Sequence, residues 1–151
     1  MKKILVSACL LGVSCRYDGK SKPCGAVDAL KEKYQLIPIC PEVMGGLETP
    51  RIPSELKDGR AFRKDGTDIT EKCIKGANEA LRLAEKFGCK AAVLKERSPS
   101  CGSGSIYDGT FTGRVVSGDG IAAAVLKNNG IKVFGESQLA ELEEFLKTEK
   151  L

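Results

Sequence analysis

The chain has 151 residues, 42% hydrophobic and 29% charged, and its 24 basic against 20 acidic side chains leave a formal charge of +4. That is the size of one ordinary globular domain burying about two-thirds of its unfolded surface, and basic residues scattered among acids exclude an extended nucleic-acid-binding tract. Histidine is absent, which excludes Ser-His and Cys-His nucleophile pairs, histidine general bases and histidine metal ligands, and leaves chemistry to Cys, Asp, Glu, Ser and Lys.

Residues 3–8 form a short β-prone run, the first predicted strand. Met1-Lys2-Lys3, the apolar run Ile4 to Val13 and Ser14-Cys15 are similar to a bacterial lipoprotein signal. Gly12, however, stands where that signal favours leucine, and cleavage at Cys15 would discard the first strand. The run is too short to span a bilayer, which needs about 20 apolar residues, so no membrane association is expected. Residues 23–34 then read as a helix with Pro23 in its first turn, and 35–40 as the second strand. Residues 41–69 carry three prolines, Gly45-Gly46 and two Asp-Gly turns, a connector too long to be idle.

A helix is predicted after Thr70, with Cys73, Ala77, Ala80, Ala84 and Phe87 on one face and a stop at Gly88. Residues 91–94 are the third strand, followed by the loop Ser98-Pro99-Ser100-Cys101-Gly102-Ser103-Gly104 and a hairpin around Asp108-Gly109. Residues 119–129 read as a small-residue helix, 131–134 as the fourth strand, and Ser137 as the cap of a closing amphipathic helix through Leu139, Leu142 and Leu146. This alternation predicts a Rossmann-like three-layer α/β/α fold with a mainly parallel sheet of about four strands in the order 2-1-3-4. Ligands belong at the switch point between strands one and three. No repeat or linker divides the chain, so residues 1–151 are read as a single domain.

Seven cysteines form an odd set without regular spacing, which argues against a secreted disulfide framework and for a reducing cytoplasm. In a parallel sheet every strand-to-helix loop lies at the carboxyl edge, and Cys9, Cys40 and Cys101 all fall there. Cys73, on the apolar helix face, and Cys89, at the opposite edge, read as small core residues. Cys15 and Cys24 are open, since the first loop and helix turn could both reach the site. Three thiolates at one edge suit a metal centre, although burial alone also accounts for cysteines. No Cys-x-x-Cys pair is present, which disfavours structural zinc. An iron-sulfur cluster held by three thiolates would leave one iron open to a soft ligand. Lys57, Arg60, Arg63 and Lys64 read as a solvated rim.

The run from Cys9 to Arg16 is similar to the phosphate loop of low-molecular-weight phosphatases and arsenate reductases. Six residues intervene here rather than that family's five, and its Asp-Pro acid pair is absent; a tuned thiolate nucleophile is kept as an alternative. Across nearly the whole chain, Ser7-Ala8-Cys9-Leu10-Leu11-Gly12, Cys15-Arg16-Tyr17-Asp18-Gly19, Cys40-Pro41-Glu42 and Ser98-Pro99-Ser100-Cys101-Gly102 resemble a small bacterial family whose characterised members are thiouracil desulfurases. The resemblance implies a 4Fe-4S cluster with one free iron on Cys9, Cys40 and Cys101, with Cys15 in reserve. It implies Glu42 and Ser98 as catalytic groups, and Gly12, Ser100 and Gly102 at the substrate, a small thiolated nucleobase such as thiouracil. It further implies non-redox, hydrolytic release of sulfur, with Glu42 taking a proton from water. Glu42 and Ser98 also read simply as turn residues. A non-catalytic cluster protein that senses oxygen or carries sulfur shares every cysteine.

Overall fold

In the computed structural model, which describes residues 1–148, the apolar run near the amino end forms β1 (Lys3–Ser7). Ile4, Leu5 and Val6 are fully buried, as a continuous apolar run must be when helices cover both faces of a parallel sheet. A 3-10 turn over Ala8–Leu11 follows and is closed by Gly12 at φ 94°, a left-handed conformation that suits glycine.

The helix expected over 23–34 is broken. Only α1 (Gly25–Asp28) is α-helical, with a 3-10 turn (Ala29–Glu32) continuing it. Cys24 at the cap position offers no side-chain bond to the first turn, and Gly25 is a poor helix starter; Val27 and Leu30 are the buried anchors. β2 (Gln35–Ile39) pairs in parallel with β1, and its Pro38 is tolerated because β2 is an edge strand.

The long connector has structure of its own. It contains α2 (Pro41–Met44) and a hairpin of β3 (Ser54–Lys57) and β4 (Arg60–Arg63), turned by Asp58 and Gly59 at φ 52° and 77°. Two positive φ values are what a twisted two-residue hairpin requires. α3 (Thr70–Phe87) runs as predicted, burying Cys73, Ala77, Ala80 and Ala84 and ending at Gly88. Next come β5 (Ala91–Leu94) and a second hairpin of β6 (Ser105–Tyr107) and β7 (Val115–Ser117), joined by the 108–114 loop rather than by a tight turn at Asp108-Gly109. α4 (Ile121–Asn128), β8 (Lys132–Gly135) and α5 (Leu139–Thr148) complete the described chain. Ser137 does not cap α5. Its hydroxyl donates to Glu96 Oε2 at 2.7 Å, and Gln138 precedes the helix instead.

The main sheet has the order β2-β1-β5-β8 with every pairing parallel, matching the predicted order. Alternation along the strands sorts the core into two layers. Ile4, Val6, Ala91 and Val93 pack on Val27, Leu30, Leu142 and Leu146. Leu5, Ala92 and Leu94 pack on Ala80, Ala84, Ala123 and Leu126. Behind β2, α2 crosses α3 backbone to backbone: a methyl on Gly76 would overlap the Pro41 carbonyl, and one on Gly45 the Lys72 carbonyl. The two glycines seat the Cys40-Pro41-Glu42 segment directly on α3.

Candidate metal centre

Cys9 lies in the 3-10 turn after β1, Cys15 in the loop that follows, Cys40 immediately before α2, and Cys101 in the loop after β5. All four line one pocket of about 720 Å³ at the carboxyl edge, where the chain leaves β1 in one direction and β5 in the other. This is where an open parallel sheet binds ligands, in a volume suited to a small molecule. All seven cysteines are free. Cys24, Cys73 and Cys89 are outside the pocket wall; the structure brings together the three cysteines sorted to this edge, and of the two left open by the sequence it adds Cys15 and not Cys24.

The four thiols act on one another. Cys9 is held below the usual thiol range, chiefly by a hydrogen bond with the Cys15 side chain, which outweighs burial and the neighbouring Cys101 and Cys40. Cys15 is pulled down by its bond with Cys40, but the bond to Cys9 and burial outweigh this, and its net shift is upward. Cys40 is pushed far up by its bond with Cys15 and by burial; its Sγ also lies 3.8 Å from the Cys15 carbonyl. Burial pushes Cys101 up to about 12, against the pull of a Ser7 bond. Cys15 is thus the thiol that shifts both Cys9 and Cys40, in opposite directions.

Glu42 reaches the same pocket from the first turn of α2. Its Oε2 accepts from Arg51 Nε at 2.8 Å, with the two side chains only 14% and 5% exposed. Arg51 also donates from Nη2 to the Cys15 carbonyl at 3.0 Å and from Nη1 to the Glu48 carbonyl at 3.1 Å. One buried guanidinium thus joins the Cys15 loop, the Cys40 segment and the chain leading into β3. Arg51 is the main residue the sequence does not reveal, because it stands in an irregular stretch with no periodicity or motif. Lys95 is another. Its backbone N–H donates to Ser7 Oγ at 2.8 Å and its Nζ pairs with Glu136 Oε2 at 3.0 Å, and its charge helps to lower the Cys9 thiol.

Ser98 lines the pocket, and its Oγ accepts the N–H groups of Ser100 and Cys101 at 3.1 and 3.0 Å. A hydroxyl has two acceptor lone pairs and one proton, so with both acceptor sites engaged, donation is what remains. Ser98 thus holds its loop as a turn residue and lines the pocket with the same side chain. Gly12, Ser100 and Gly102 are not on the pocket wall. Gly12 ends the 3-10 turn in the left-handed region. Gly102 packs so closely on the Ser98 carbonyl that a side chain would collide. Ser100 is fully buried beside Cys73, and its hydroxyl pulls that thiol down against the upward push of burial. As placed, these three shape the loops that carry Cys9 and Cys101.

The loop after β1 is no phosphate cradle. The N–H groups of Gly12, Val13 and Cys15 donate to the carbonyls of Cys9, Ala8 and Val13 at 3.3, 3.2 and 2.9 Å, so they are not free to surround an anion. Among the described residues no three Cys, Asp or Glu side chains converge on a single metal-ion position. A tetrahedral zinc site needs that convergence, whereas an iron-sulfur cluster takes each thiolate at a separate iron. The donor set, all sulfur and spread around one cavity, fits the cluster. Among the described residues no helix is long and apolar enough to cross a membrane.

Comparison with known proteins points the same way. Residues 4–138 match the family model described as 2-thiouracil desulfurase. The chain is 39% identical over 149 residues to the Bacillus subtilis (strain 168) protein YbbK, with 92% of this chain and 99% of that one covered. It is 46% identical to a solved structure described as the [4Fe-4S]-dependent thiouracil desulfidase TudS, with a TM-score of 0.93 and coverage of 99% and 100% of the two chains.

Proposed function

The chain belongs to the 2-thiouracil desulfurase family, and on that premise we propose that it is an iron-sulfur-dependent thiouracil desulfurase working at the pocket of Cys9, Cys15, Cys40 and Cys101. The observation that carries this reading is the meeting of four free thiols, without histidine, at the switch point of a parallel sheet. Cys9, Cys40 and Cys101 hold a 4Fe-4S cluster, with Cys15 in reserve. When bound, a cluster on three thiolates supplies an iron with an open position and an affinity for soft sulfur.

The chain's own residues then serve a hydrolysis. Water adds to the thiocarbonyl carbon, the carbon-sulfur bond breaks, a carbonyl remains and sulfur leaves as sulfide, with no net change of redox state. Glu42 takes the proton from water at Oε1, since Oε2 is occupied by Arg51. Arg51 fixes the direction of that carboxylate. Ser98 donates its hydroxyl proton to a heteroatom of the ring, the only hydrogen-bonding capacity its turn contacts leave it. Gly12, Ser100 and Gly102 shape the substrate space through the backbone of their loops. The substrate is a small thiolated nucleobase. Seven free thiols suit a reducing cytoplasm, and residues 1–151 act as one domain.

The test is anaerobic reconstitution with iron and sulfide, followed by the visible spectrum and an assay of sulfide released from 2-thiouracil. A brown protein releasing sulfide is expected. A colourless protein without turnover contradicts the reading, and a brown one without turnover turns it into a cluster-bearing sensor or carrier.

A further inference from the structure

Two of the chain's three tyrosines and one of its five phenylalanines, Tyr17, Tyr107 and Phe111, line the thiol pocket. Phe111 holds an unusual backbone. Among the described residues, only Asp58, Arg97 and Phe111 are non-glycine residues at positive φ, and Phe111 stands at 58°. Aspartate in a hairpin turn adopts that region readily, but a bulky aromatic does not, and a strained residue persists only where its surroundings over-determine it.

The surroundings here are built for this. Glu55 Oε1, on β3, accepts the backbone N–H of Gly109 at 3.0 Å and that of Phe111 at 3.1 Å. Gly109, at φ 90°, lies so close to β3 that a side chain would meet the Leu56 carbonyl and the Lys57 side chain. The 108–114 loop is closed on itself by Asp108 N donating to the Arg114 carbonyl at 3.0 Å, and by the Asp108 carboxylate accepting from Thr110 N and Oγ1 at 2.9 and 2.5 Å. A connection between two short strands has no need of a phenyl ring held in the left-handed region and pinned by a carboxylate from another hairpin. Phe111 is half-buried and lines the pocket.

We infer that the clamped 108–114 loop is an aromatic platform and that Phe111 stacks on the planar ring of the thiolated pyrimidine, an inference that rests on the desulfurase reading of the same pocket. Stacking reads planarity and π-face rather than substituents, so Phe111 serves ring binding, and Glu55 is a positioning residue acting through it.

The experiment compares wild type with Phe111→Leu, Phe111→Tyr and Glu55→Ala in reconstituted enzyme, with thermal melts as a control for folding. Phe111→Leu keeps an apolar side chain of similar bulk but has no π-face. It is expected to raise KM for 2-thiouracil about tenfold, with kcat within about twofold, by loss of one stacked base. Phe111→Tyr should restore KM. Glu55→Ala should raise KM while Phe111 is still present. KM unchanged in Phe111→Leu, in an enzyme that releases sulfide, overturns the platform and leaves the desulfurase reading standing. If wild type releases no sulfide, that reading fails. The platform is then judged by calorimetric binding of 2-thiouracil: a Kd raised by Phe111→Leu supports it, and a Kd unchanged overturns it.

Discussion

Cys73 and Cys89 are 0% and 4% exposed, and Cys101 and Cys9 are 6% and 7% exposed, yet the two pairs live in different surroundings. For Cys73 and Cys89 the dominant influence is burial, which raises both thiols, Cys73 to about 11. Among the pocket cysteines other thiols intervene. Cys15 governs both Cys9 and Cys40 by hydrogen bonding, and Cys101, though raised first by burial, is next to Cys40 and Glu42. Burial is therefore a poor guide to which cysteines matter. Packing on aliphatics does not separate them either, since Cys101 shares a cluster with Cys89, and Cys9 and Cys15 lie in another; what marks the centre is that its thiols line one cavity together.

The sharpest way to break this contrast is to exchange the two classes. Cys9→Ala, Cys40→Ala or Cys101→Ala should each abolish the visible absorbance of the reconstituted protein and reduce sulfide release to background. Glu42→Gln comes next. It should keep the absorbance but slow sulfide release by about 100-fold or more, the usual scale of a lost general base. Arg51→Met leaves Glu42 in place but undirected, and a loss of about tenfold to 100-fold in kcat is expected, with the spectrum retained.

Gly76→Ala tests whether α3 sets the site from behind. Its methyl must displace α2, so a loss of about 1–3 kcal/mol in a denaturant melt is expected, together with weaker cluster retention. The smallest effect belongs to Cys73→Ala, which should cost about 1 kcal/mol of stability and leave absorbance and turnover unchanged.

Much of this contrast could be read from the chain alone, for identifiable reasons. Strand-helix alternation sets the parallel sheet and its order. Once the sheet is parallel, position in the sequence decides which edge a loop residue occupies, and that placed Cys9, Cys40 and Cys101 together. The family resemblance singles out Glu42 and Ser98, and the structure brings both to the pocket. Other features depend on partners far apart in sequence. Arg51 matters only because Glu42 and the Cys15 carbonyl surround it. Phe111 matters only because Glu55, 56 residues earlier, fixes its backbone. The shift of Ser137 from a cap to a partner of Glu96 is a tertiary choice that local patterns do not encode, whereas the break in the helix at 23–34 has a local cause in Cys24 and Gly25.

The most direct measurement is the iron and acid-labile sulfide content of anaerobically reconstituted protein, comparing wild type, a Cys73→Ala/Cys89→Ala double variant and a Cys9→Ala/Cys40→Ala/Cys101→Ala triple variant. One 4Fe-4S cluster per chain in the first two and none in the folded triple variant is the predicted result. A full cluster in the triple variant, or its loss from the double variant, would contradict the assignment of the centre to the carboxyl edge of the sheet.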